Sequence, residues 1–296
     1  GHSRTRIIAG YQQAVNRLMR EQSEEIKIRV LKGLGQWPAS IGIKLPVDPA
    51  EFLSSDNPGL REMAAGCLYL TAAPQRDALV LQALGDGHPR VRDAAARSLG
   101  KASPDSGDIA LRWISDNRGT PRAQQSLLGI LQQQDLPAAV YECIASQKVD
   151  ETLQLQDACA LLEDRSGRDN EPAALTLVRY TLNERMEQTI QLALLALEPL
   201  HEPGIIGIIR AGFSSGDIRH AANACEALCN LDNRHVAGRL HDILQQTLSK
   251  QRAENTGMRF KDQAQVLDWC IKEKDEWLQY CARHALQSLA AGDARA

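Results

Sequence analysis

The sequence predicts an all-α fold, a right-handed α-solenoid built from helical hairpins. One observation is a recurring apolar stripe: Val91, Ala95 and Leu99 follow one another every four residues, and Leu60, Ala64 and Leu68 repeat the pattern with Arg61 standing 31 residues before Arg92. A second is the near absence of strand signals, since the clearest β-branched run, Ile205-Ile206-Gly207-Ile208-Ile209, is short and carries a glycine at its centre. The third is composition. Hydrophobic residues make up 43% of the chain but aromatics only 4%, so the core must be built from Leu, Ala, Ile and Val, as stacked helices allow.

The stretch Asp86 to Gly100 is the clearest unit and sets the reading of the others. Asp86 is placed to cap, Pro89 to occupy the first helical turn, where its missing N–H costs nothing, and Gly100 to end the helix in a left-handed conformation. The small residue at the middle of each stripe has a purpose: it lets neighbouring helices approach to the short end of the ~8–10 Å range. Leu278, Ala282 and Leu286 form another copy, and weaker ones begin at Asp116 and at Asp217, where His220 replaces the first apolar residue.

In chain order, Arg4 to Arg20 reads as a capping helix with Ile7, Ile8, Tyr11, Val15 and Leu18 on one face and arginines around it. A second helix runs to Leu34, and Asp48 with Pro49 marks the next start. Regular hairpins follow: 50–55 with 58–73, 75–84 with 89–102, and 108–115 with 121–133. In the turn of the second, Asp86 is expected to pair with Arg92 of the following helix. Residues 136–146 and 151–163 read as a looser hairpin, and 171–183 with 185–197 as another. Between them 164–171 is the most polar stretch and a candidate hinge. A short helix 205–212, a helix opening at Asp217, a long helix 233–250, and the pair 262–271 and 277–290 complete about eight antiparallel pairs, at ~34 residues per pair. Residues 4–296 are expected to form one extended domain, with 1–3 a tag remnant and the chain a fragment of something longer.

Little in the sequence points to chemistry. With 34 Lys and Arg against 37 Asp and Glu, the formal charge of −3 argues against nucleic acid as the main partner, because such binders concentrate basic charge to displace counterions. The seven cysteines are scattered and fit buried thiols in a reducing compartment. Cys225 and Cys229 lie one helical turn apart, yet a structural zinc site needs four ligands, and no Cys-x-x-Cys or His-x-x-x-His completes it; core thiols are the favoured reading. His201-Glu202 stands alone beside Pro203 and reads as a loop rather than a metal pair. No nucleophile triad or phosphate-cradling glycine loop occurs, so no catalytic, cofactor-binding or metal residue is assigned. No run reaches the ~18 apolar residues of a membrane helix. Exposed charges are the candidate partner contacts: Asp93 and Arg97 on a second helix expected to line a concave face, and Arg165 and Arg168 in the polar stretch.

The stretch from Asp86 to Gly100 resembles a HEAT repeat of the bacterial kind. A second resemblance rests on Arg185 to Leu197, Ser214 to Asp217, Asn223 to Leu231, Asp275 to Ala282 and Tyr11 to Arg20, which are similar to the soluble HEAT domain of bacterial ADP/ATP-translocase-like major facilitator proteins. That family carries the domain on the cytoplasmic side, after its transmembrane region. The resemblance implies a non-catalytic scaffold without a cofactor, cytoplasmic and tethered to the inner membrane through a preceding region, whose partner is a protein or a neighbouring domain. Two rival readings use the same architecture: a bilin lyase-like HEAT enzyme that holds a tetrapyrrole, and a HEAT-like nucleic-acid-binding protein, against which the acidic balance weighs.

Overall fold

The computed structural model describes residues 10, 13–20, 23–38, 47–103, 105–163, 173–215, 217–249, 259–273 and 275–293. Among them there is no strand, and the fold is all-α, as a solenoid of hairpins requires. Two compact units result, Gly1–Leu136 and Pro137–Ala296.

In the first unit, residues 13–20 are helical and bury Val15 and Met19, one turn apart, while Leu18 faces solvent; Ile7, Ile8 and Tyr11 lie outside the described residues. The helices that follow are α1 (Glu24–Leu34), α2 (Pro58–Ala65), α3 (Ala73–Leu84), α4 (Pro89–Ala102), α5 (Ser106–Ser115) and α6 (Pro121–Leu131). Short 3-10 turns at Pro49–Phe52 and Leu68–Leu70 flank α2. Proline sits in the first turn of α2, α3, α4 and α6, where no intrahelical donor is lost. Side chains close several starts: Asp48 accepts from the Ala50 amide, Asn57 from Gly59 and Thr120 from Ala123.

Helix α2 packs on α4, α4 on α6, and α3 against both α4 and α6. The expected stripes are the buried ones, with Leu60, Ala64 and Leu68 and then Val91, Ala95 and Leu99 all inside. Ala64 and Ala65 of α2 and Ala94 and Ala95 of α4 line this seam without side-chain bulk to separate the helices.

Gly100 does not end α4. The helix continues through it to Ala102, and Ser103 takes an extended conformation, φ −150° and ψ 134°. Ser103 precedes a proline, whose ring bars the helical conformation to the residue before it, so the stop comes from Pro104 rather than from a glycine. Left-handed glycines occur instead at Gly119, before α6, and at Gly204.

The second unit contains α7 (Ala138–Glu163), α8 (Ala173–Leu197), α9 (Ile205–Ser214), α10 (Ile218–Cys229), α11 (Arg234–Ser249), α12 (Gln263–Lys272) and α13 (Glu276–Asp293). Helices α7 and α8, of 26 and 25 residues, replace what reads in the sequence as four shorter helices. Neither contains a glycine or proline, so the polar residues near 147–150 and 183–184 do not interrupt them. The two pack as one long antiparallel hairpin. The segment 164–171, read as a hinge, lies outside the described residues.

Other helices attach along this hairpin. Helix α9 packs on α8 and pairs with α10, which pairs with α11. Helix α11 runs parallel to α7: Asn233 Nδ2 donates to Glu142 Oε1 at 2.6 Å, Arg239 pairs with Asp150, and Gln156 Nε2 donates to Gln246 Oε1 at 3.0 Å. The last pair returns to the hairpin, α12 on α7 and α13 on α8. Every residue from Leu192 to Leu197 is therefore buried, since the end of α8 is enclosed all around its circumference.

Candidate interaction surface and buried charge relay

Helix α4 presents opposite characters on its two sides. Val91, Ala94, Ala95, Ser98 and Leu99 are buried, while Arg90, Asp93 and Arg97 are exposed. Asp93 and Arg97 thus share one outward face a single turn apart, as their spacing requires. Arg165 and Arg168 lie outside the described residues.

The turn before α4 is held by ions, but not with the expected partner. The Asp86 carboxylate receives Arg61 of the preceding repeat, Nε at 2.8 Å to Oδ2 and Nη2 at 3.1 Å to Oδ1. It also accepts from the His88 amide at 2.7 Å. Arg92 instead donates from Nη1 to the carbonyls of Asp86 and Gly87, and Arg61 does the same to Ser55 and Asp56. The repeat-spaced arginines therefore tie down their own turns, and only Arg61 reaches forward. Arg92 is anchored to the backbone five and six residues before it, which leaves the carboxylate to the neighbouring helix. Burial opposes the charge on Asp86, but the Arg61 hydrogen bond, the His88 amide and the Arg61 charge outweigh it and hold the carboxyl below its ordinary range. The fork geometry makes this a bidentate, charge-assisted pair.

The second unit buries a larger charged cluster that the sequence reading missed. Lys148 Nζ lies 3.0 Å from Glu151 Oε2, Arg185 Nη2 lies 3.2 Å from Glu151 Oε1, and the same Arg185 nitrogen lies 2.8 Å from Glu273 Oε2. Alternating charges thus run from α7 through α8 to the turn after α12. Lys148 is 1% exposed. Burial lowers the Lys148 pKa, and Glu151 only partly restores it. Burial also works against Arg185, but Glu273 and Glu151 together raise it above the ordinary value. A signal was present in the sequence: Ile144, Lys148, Thr152, Leu155 and Cys159 follow at three- and four-residue steps, which places the lysine inside an apolar stripe.

The cysteines divide by helix face. Cys67, Cys159, Cys225, Cys270 and Cys281 are buried, and Cys143 and Cys229 are exposed. Burial pushes the Cys67 and Cys270 thiols up to about 12, where a nucleophilic thiolate is scarce at neutral pH. Burial and then the neighbouring Cys229 raise Cys225 in the same direction. Among the described residues no three His, Cys, Asp or Glu side chains gather where they can hold a metal ion. His201 and Glu202 lie in the turn after a 3-10 helix at Glu198–Leu200. Nor is any helix of the described residues long and apolar enough to cross a membrane.

The HEAT repeat family model matches residues 78–105, which take in the second half of α3 and the whole of α4. No curated protein and no solved structure matches the chain. The matched segment is the one whose stripe, alanine seam and turn-anchoring arginine are described above, and it sits in a stack of helices of the same kind. The chain is therefore all-α among its described residues and carries a segment, residues 78–105, that matches the HEAT repeat family.

Proposed function

We propose that the protein is a non-catalytic interaction scaffold whose partner is another protein or a neighbouring domain of the same chain. The observation that carries this reading is the HEAT repeat itself, because such repeats spend their apolar faces on one another and commonly leave their outer faces to bind proteins. Asp93 and Arg97, exposed on α4 within the matched segment, are the contacts proposed here, with Arg165 and Arg168 as further ones. In the finer form of the proposal the scaffold is the cytoplasmic HEAT domain of an ADP/ATP-translocase-like membrane protein. That form rests on the resemblance of residues 11–20, 185–197, 214–217, 223–231 and 275–282 alone.

The test is a photo-reactive amino acid placed at Asp93 or Arg97 in cells producing the natural full-length protein. A discrete adduct at these positions, absent when the probe replaces Gln82 on α3, supports the scaffold face. Recovery of that adduct in the membrane fraction supports the transporter attachment, and recovery only in the soluble fraction removes the attachment while keeping the scaffold. Illumination without any adduct at 93 or 97 overturns the assignment of this face.

A further inference from the structure

Like α10, which buries Ala221, Ala224 and Cys225, the α12–α13 pair packs largely through small side chains, here against the α7–α8 hairpin. Its buried residues are Val266, Leu267, Cys270, Leu278, Cys281, Ala282 and Ala285, more than half of them cysteine or alanine. The α8 side of the long hairpin instead buries Leu175, Val178, Leu182, Met186 and Ile190. Apolar burial contributes in proportion to area, roughly 25 cal/mol per Å², so small side chains give the terminal pair less hydrophobic attachment per residue. At the centre of the attachment stands the Arg185–Glu273 ion pair, with Glu273 in the bend between the two helices. One carboxylate thus holds both helices at their joint.

We propose that α12–α13 is a clasp that opens from the long hairpin as a unit, and that the Lys148–Glu151–Arg185–Glu273 relay is its latch. The relay is built to divide at one place. Lys148 and Glu151 are a turn apart on α7, and Arg185 bonds Glu151 from α8, so these three stay together on the hairpin when the clasp leaves. Among the described contacts of these four side chains, the one that spans the divide is the 2.8 Å contact to Glu273. The side chains of Arg185 and Glu273 are already 17% and 22% exposed, so both regain water on opening and no charge is stranded in hydrocarbon. Lys148, which has no such access, keeps its carboxylate in both states. Sub-global opening releases a contiguous cooperative unit, and α12–α13 is a contiguous helix pair at one end of the described residues.

Buried thiols supply the readout. Cys270 of α12 and Cys281 of α13 are covered in the closed state, and Cys67 in the first unit is an internal control. The full chain is pulsed with a maleimide under native conditions, and labelling at each cysteine is measured by peptide mass spectrometry. Glu273→Gln should raise labelling of Cys270 and Cys281 together, by about tenfold for the loss of one charged hydrogen bond, and Arg185→Met, which also loses the bond to Glu151, should raise both at least as much, with Cys67 at its wild-type rate. Glu273→Gln keeps the test intact should Arg185→Met fail to fold, since it changes one partly exposed side chain with little change of size. The clasp is overturned if Cys270 and Cys281 label at the wild-type rate in Glu273→Gln, if they rise only in step with Cys67, or if one rises without the other.

Discussion

Residues up to 136 and residues from 137 onward are both helical, yet they settle helix length and charge in different ways. In the first unit proline opens α2, α3, α4 and α6, caps close the starts, and helices run 8 to 14 residues. Charge there is partly covered and lies in the turns, where Arg61 forks onto Asp86 and arginines bind the carbonyls of their own turns. In the second unit α7 and α8 run without glycine or proline for 26 and 25 residues. Of the polar side chains that would read as breaks, Lys148 is carried into the interior and paired there, while Asp150 and Glu184 stay exposed. The comparison teaches that backbone punctuation ends helices, whereas a charged residue within a stripe calls for a partner.

The sharpest way to break this contrast is to add punctuation where the second unit has none. Asp150→Pro, in the middle of α7, should cost at least about 3 kcal/mol through a lost hydrogen bond and a clash with the preceding turn. Urea unfolding followed by circular dichroism measures it, with Asp150→Ala as the control for the lost Arg239 contact. Wild-type stability in the proline variant would mean that α7 is really two helices.

Removing a buried partner comes next. Glu151→Gln leaves Lys148 and Arg185 without the carboxylate they share, at an expected cost of about 3 kcal/mol in the denaturant midpoint. A change of a few tenths would show the cluster to be solvated and the contrast with the first unit illusory.

The Arg61–Asp86 pair joins two ions where Glu151 serves two cations at once, so it should matter less, and it should depend on pH. Asp86→Asn is expected to cost about 1.5 kcal/mol near neutrality. Because the folded carboxyl titrates below its ordinary value, its contribution is present above the unfolded pKa of about 3.9 and disappears as pH falls through the lower, folded one. Melting curves of wild type and Asp86→Asn should therefore converge on acidification. Curves that stay equally separated down to the acid-unfolding limit would contradict the Arg61 pairing. The smallest effect is at a cap: Thr120→Ala removes the acceptor for the Ala123 amide and should cost about 1 kcal/mol.

Much of the first unit was legible because its signals are local. Pro58, Pro89 and Pro121 mark starts by the geometry of their own rings, and the stripes of Leu60, Ala64 and Leu68 and of Val91, Ala95 and Leu99 proved to be the buried faces. Gly100 was misread because glycine permits a stop without enforcing one, whereas Pro104 constrains the residue before it. The exposure of Asp93 and Arg97 followed from the same stripe. The partner of Asp86 did not, since Arg61 and Arg92 are both arginines next to a turn and only the packing of α2 on α4 selects between them.

The amino-acid order alone determined that this protein is helical, where most helices of the first unit begin, and which side of each turns inward. These depend on steric and capping preferences between residues a few positions apart. Tertiary structure alone decided that Arg185 meets Glu151 and Glu273, and that the final helix pair folds back on α7 and α8. Those pairings join residues 34 and 88 positions apart, and their strength comes from a desolvated setting that exists only once the helices have packed.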